Sequence, residues 1–168
     1  MSNRVIKSYT GQEANQLRRL LESLFALELL NPSQDLFLYS PWISNIGLLD
    51  NRSGRFRSIV PFAEDIIYKV SDVLELLAKK GSHICIITRP NDPRTEATIG
   101  LLDHENIEVK RAPNFHEKSI TCDNFFFRGS MNLTYFGTHI NDEHIEVTND
   151  VEAIAKARLE AKERWESY

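Results

Sequence analysis

Two short, continuously apolar runs constrain this chain more than any other feature. They are Leu36-Phe37-Leu38-Tyr39-Ser40, closed by Pro41, and His83-Ile84-Cys85-Ile86-Ile87-Thr88. Each has the length of a strand, and neither shows the polar alternation of a half-exposed one, so both read as buried strands. Helical periodicity supplies their covers. Leu17, Leu20, Leu21, Leu24 and Phe25 recur at i, i+3, i+4 spacing, which predicts an amphipathic helix over residues 12–30, stopped by Asn31-Pro32. A second helix is expected over residues 62–80, with Ile66, Val70, Val73, Leu74 and Leu77 as its core stripe and Gly81 as its stop.

The remainder alternates in the same way. Residues 44–58 read as a polar loop carrying Gly47, Gly54, Arg52, Arg55 and Arg57. Asn91-Asp92-Pro93 reads as a turn, residues 95–103 as a short helix and 107–110 as a short strand. Strands are expected at 118–122 and 125–128, joined by an Asp123-Asn124 turn, and again at 144–148. A short helix is expected over 133–137. Asn149-Asp150-Val151-Glu152 resembles a capping box opening a last helix that reaches Trp165. Strands alternating with helices predict an α/β layered domain with a mixed sheet.

The chain has 168 residues, which suits one domain with a real core. No run approaches the roughly 18 apolar residues of a membrane span, and the first residues hold no apolar leader core, so a cytoplasmic location is expected. Cys85 and Cys122 sit in apolar runs and read as buried free thiols. A formal net charge of −4 argues against a generic polyanion-coating protein but leaves room for a local basic site.

The chemistry concentrates between residues 116 and 143. Strand alternation puts His116 and Lys118 on one face and Glu117 on the other. Imidazole is a competent nucleophile and proton carrier near neutral pH, and an ammonium can hold the non-bridging oxygens of a phosphoryl group. After the next strand comes Gly129-Ser130-Met131-Asn132. Its glycine permits close backbone approach to a ligand, and Ser130 and Asn132 can donate to phosphate oxygens. Glu143 follows, where a carboxylate can orient a histidine.

His116-x-Lys118-x4-Asp123, followed by Gly129-Ser130-x-Asn132, resembles the signature of the phospholipase D superfamily. Five residues separate Asp123 from Gly129, one fewer than the usual spacing. The strand ending in Tyr39-Ser40-Pro41-Trp42, the strand near residues 84–88 and the last helix are similar to that fold as well. The resemblance implies a mostly parallel β-sheet flanked by helices on both faces. It implies that His116 attacks phosphorus to form a phosphohistidine, with Lys118, Ser130 and Asn132 binding the phosphate and Glu143 orienting a histidine. Asp123 completes the catalytic motif, although its place in the turn suits a structural role. No metal or cofactor is implied. Only one His-x-Lys is present, whereas the two-step chemistry wants two imidazoles, so a homodimer sharing one site is expected. DNA is the favoured substrate. A further resemblance, over residues 36–43 and 53–61, is to phospholipase-D-like proteins of bacterial clusters that modify and restrict DNA with 7-deazaguanine bases. It raises the alternative of a catalytically weak DNA- or partner-binding component of a defence system, with other defence proteins as partners.

Plainer readings stand beside these. His116 alone would be an ordinary strand histidine. His139, Asp142, Glu143 and His144 could suggest a metal site, but His144 should point away from Glu143 in a strand. His83 and His104 read as structural. The three arginines read equally as a phosphate-gripping loop or a solvated one. Phe125-Phe126-Phe127 reads as core before stacking platform. Lipid chemistry ranks below nuclease activity, because no basic amphipathic helix or apolar loop offers a membrane interface.

Overall fold

The computed structural model describes residues 3–8, 14–60, 66–134, 137–138 and 143–168. The elements run β1 (Asn3–Ser8), α1 (Ala14–Leu30), β2 (Asp35–Tyr39), β3 (Gly47–Asp50), β4 (Ile67–Lys69), α2 (Val70–Lys79), β5 (His83–Thr88), α3 (Pro93–Ile99), β6 (Ile107–Arg111), β7 (Ser119–Thr121), β8 (Phe126–Gly129), β9 (Glu143–Thr148) and α4 (Val151–Glu166).

The two apolar runs, β2 and β5, lie side by side in the interior of a seven-stranded sheet of order β1-β9-β8-β7-β2-β5-β6. β2, β5 and β6 are parallel neighbours, while β7, β8, β9 and β1 are joined through antiparallel pairs. β7 and β9 alone run against the other five strands, so the sheet is mixed and mostly of one direction, as expected.

Both faces are covered. On one, Leu17, Leu21 and Phe25 of α1 and Val73 and Leu77 of α2 share a core with Leu36, Leu38, Ile84, Ile86, Ile120 and Phe127. On the other, Ala161 and Trp165 of α4 pack on Phe37, Tyr39, Cys85, Ile87 and Phe115. Tyr39 anchors this helix by donating its hydroxyl to the Ala161 carbonyl at 2.6 Å. The two free cysteines lie on opposite faces, Cys122 beneath α1 and α2 and Cys85 beneath α4, so the sheet itself separates them. Gly81, at φ +100°, ends α2 with Ser82 N–H donating to Leu77 and Gly81 N–H to Ala78, the paired closure expected of a left-handed glycine.

Several boundaries differ from the sequence reading. The stretch that reads as a polar loop holds β3, which pairs with β4 in a separate two-stranded sheet. The register shifts between Gly47 and Leu49, and both Leu48 and Leu49 are buried, so the alternation that marks a strand is lost there. β4 takes residues 67–69 from the start of the expected second helix; residues 61–65 lie outside those described. The N-terminal β1 has no apolar run to announce it. α3 starts at Pro93, with Asp92 accepting from Thr95 N–H at 2.8 Å. Asp150 stands at the N-cap of α4 without a side-chain cap bond, so the expected capping box is absent. Phe125 and Phe127 are core residues, and Phe126 faces the opposite side under Arg128. Arg52 pairs with Asp50 and Arg55 with Glu22, so these two cations are engaged with the chain's own acids.

Candidate active site

The site forms where the carboxyl ends of β2, β5 and β8 meet the amino ends of β7 and β9. Open sheets present such an edge to ligands because the chain leaves in loops on both sides.

The β7–β8 hairpin sets its register. Cys122 N–H donates to the Phe125 carbonyl at 3.1 Å, leaving Asp123-Asn124 as a two-residue connection. Ser119 pairs with Arg128 and Ile120 with Phe127, and Gly129 N–H reaches the Lys118 carbonyl at 3.2 Å. The hairpin thus closes with a short connection and an unbroken register, and Lys118 stands across from Gly129. Regular strand geometry begins only at Ser119, so His116 and Lys118 lie on the approach to β7 rather than within it. Glu117 turns to the α4 side, where it meets Arg164 at 3.6 Å and accepts from Ser119 at 2.9 Å.

Lys118 donates its ammonium to the His116 carbonyl at 2.8 Å. Its pKa is lowered, first by burial and then by repulsion from Arg89, while Glu143 opposes the shift. Ser130 accepts from His144 N–H at 3.0 Å and donates to the Glu143 carboxylate, which is only 6% exposed. His144 is exposed while Glu143 is buried, so the two diverge as strand alternation requires. Asn132 follows on the loop, with a buried side-chain oxygen that has no hydrogen-bond partner among the described residues.

Gly129 is required for a reason other than ligand approach. A side chain there would collide with the His144 carbonyl of β9, so the glycine admits the neighbouring strand. Asp123 is the motif residue that the fold does not bring to the site. At the other end of β7, it accepts from Gln34 N–H at 3.0 Å and pairs with Arg158 of α4. His139 and Asp142 lie outside the described residues, and no metal-binding group of three His, Cys, Asp or Glu occurs among those described. His83 sits between Asp35 and Glu108, and His104 accepts from Asn106 N–H; both are structural.

Arg89 is a site residue that the sequence reading does not single out. It leaves the end of β5, donates Nε to the Phe115 carbonyl at 2.7 Å, and lies with its Nη2 2.6 Å from His116 Nε2 and 3.1 Å from Nδ1. Its guanidinium centre is 5.2 Å from the Trp42 ring centroid. The one available signal is a basic residue directly after a buried strand.

Comparison with known proteins agrees with this fold. Residues 55–165 match the family model described as cardiolipin synthase, PLD-like domain. The fold is similar to NucT from Helicobacter pylori, with a TM-score of 0.68 and 19% identity over 99% of this chain and 96% of that one. It is similar to Nuc from Salmonella typhimurium, a phospholipase D family member, with a TM-score of 0.60 and 15% identity over 98% and 95%. The archaeal chromatin protein TrmBL2 shares it too, with a TM-score of 0.52 and 16% identity over 99% of this chain and 53% of that one. Comparison with curated protein sequences gave no match. The chain belongs to the phospholipase D-like family, which places it among phosphodiester-cleaving enzymes. Among the described residues, no helix is long and apolar enough to cross a membrane.

Proposed function

We propose that this chain is a metal-independent phosphodiesterase, with DNA as its favoured substrate and His116 as its nucleophile. The observation that carries the reading is the juxtaposition, at one sheet edge, of an exposed imidazole with two cations, Lys118 and Arg89, and the Ser130–Glu143 pair.

In the first step a ring nitrogen of His116 forms a bond to phosphorus as the bond to the leaving oxygen breaks. Lys118 stabilises the charge gathering on the non-bridging oxygens, and the Asn132 amide donates to them. The leaving oxygen takes a proton from a second imidazole. Water then attacks the phosphohistidine, the P–N bond breaks, and the proton of that water returns to the second imidazole. A second copy of the chain supplies that group through its own His116, which makes the working unit a homodimer. Glu143 holds the hydroxyl of Ser130 and orients the site from its buried position. A polyanionic substrate suits the local cations on an otherwise acidic molecule, and the structurally similar TrmBL2 is a chromatin protein that binds DNA.

The shortened spacer is what would favour the non-catalytic alternative, and the unbroken β7–β8 register that keeps Lys118 across from Gly129 argues against it. The test is hydrolysis of bis-p-nitrophenyl phosphate and of DNA in EDTA, with His116→Ala as control and sedimentation to read the oligomeric state. Activity lost with His116→Ala and retained in EDTA is expected. Activity that disappears on chelation would sink the metal-free mechanism, and a fully active monomer would sink the shared site.

A further inference from the structure

We infer that Arg89 is a phosphate ligand that rests on the nucleophile in the free enzyme and leaves it when a phosphate group arrives. The inference rests on the phosphodiesterase reading and assigns a role to a residue outside the family motif.

The backbone beneath Arg89 is fixed. Ser40 N–H donates to the Ile87 carbonyl, and Arg89 N–H and the Thr88 hydroxyl both reach the Pro41 carbonyl, at 3.1 and 3.0 Å. This ties the Trp42 turn to the end of β5. Among the described residues the Arg89 side chain meets the Phe115 carbonyl through Nε, the Trp42 ring, and the His116 ring through Nη2, which lies nearer Nε2.

A guanidinium can only donate, so a ring nitrogen bonded to it must accept. The accepting nitrogen is the one that carries the lone pair, and that lone pair is what attacks phosphorus. In the observed state the nucleophile is therefore occupied by a cation. Among the described residues no carboxylate pairs with Arg89, and its charge bears unfavourably on the Lys118 ammonium. An incoming phosphate removes both conditions. Its oxygens offer the planar guanidinium the paired acceptors it matches, and they neutralise the repulsion between Arg89 and Lys118. Nε can stay on Phe115 while Nη2 moves from the ring to a phosphate oxygen, so the change needs only a small rotation of one side chain.

Two measurements that need no turnover test this. The first is inorganic phosphate binding by calorimetry. The second is the rate at which diethyl pyrocarbonate modifies His116, followed by mass spectrometry of its peptide. Arg89→Met should weaken phosphate binding about tenfold to a hundredfold, the range of one charge-assisted pair. It should also speed modification of His116 several-fold. Arg89→Lys keeps the cation without the planar fork and should fall between, and its thermal melt reports whether the β5 end is intact. Wild-type protein that fails to bind phosphate would overturn the phosphodiesterase reading itself. Wild-type protein that binds, with Arg89→Met binding equally well or His116 modified no faster, would overturn the role of Arg89 alone.

Discussion

Gly129 and His144 approach so closely across the β8–β9 pair that the carbonyl of His144 occupies the space where a side chain on residue 129 would begin. The same pair of strands is joined a residue further on by Ser130 N–H donating to that carbonyl at 3.0 Å and by His144 N–H donating to the Ser130 hydroxyl. The loop that carries Ser130 and Asn132 is thus built on a contact that only glycine permits. Gly129→Ala must push β9 away, at a cost of about 1–3 kcal/mol or more, in the range of overpacked sites. Chemical denaturation should show a lowered midpoint, and activity should fall further than stability because Ser130 and Glu143 move with the strand. An alanine variant of wild-type stability would mean that the two strands are not in this contact.

Asp123 is expected to separate stability from catalysis. It ties the end of β7 to Gln34 before β2 and to Arg158 on α4, away from His116. Asp123→Ala should therefore lower stability by about 1–2 kcal/mol, the loss of one backbone bond and a partly exposed ion pair. The kcat of the folded variant should stay within about twofold of wild type. A drop in kcat comparable to that of His116→Ala would restore Asp123 to the catalytic set.

The cysteines report on the core. Burial pushes both thiols up to about 12, Cys85 under α4 and Cys122 under α1 and α2. At about pH 8 neither should react with an aromatic disulfide reagent while the chain is folded, and reaction should track unfolding. Rapid reaction of Cys85 alone would show that α4 leaves the sheet more readily than its packing indicates.

The parts of this fold that are legible in sequence are those where one local rule decides. β2 and β5 carry apolar runs, α1 has an unbroken stripe from Leu17 to Phe25, and Gly81 stops α2 by its backbone freedom. β3 is hidden because its shifted register buries two adjacent leucines, and β1 because strand pairing with β9, not apolar content, defines it. The same division holds at the site. His116, Lys118, Ser130 and Asn132 are visible because they lie close together in sequence, flanking one hairpin. Arg89 is not, because it reaches His116 from the end of β5, twenty-seven residues earlier, and the parallel packing of β5 against β2 and β6 brings it there.

Lys118 gives the site a pH signature whose sign differs for stability and for function. Burial, reinforced by Arg89, lowers its pKa from the ordinary 10.5. In the interval below 10.5 the unfolded chain then holds a proton that the folded chain has released, so this residue makes stability rise with pH across that interval. On the proposed role of Lys118, phosphate binding should respond the other way, because there it uses the ammonium. The affinity for inorganic phosphate, and 1/KM for a diester, should be complete at neutral pH and begin to fall on the alkaline side before 10.5 is reached. Lys118→Arg keeps the charge throughout and should shift that limb upward. Arg89→Met removes a repelling neighbour and should shift it upward as well, by less. An alkaline limb that stays in place in Lys118→Arg would assign it to another group, and one that stays in place only in Arg89→Met would separate Arg89 from the field that acts on Lys118.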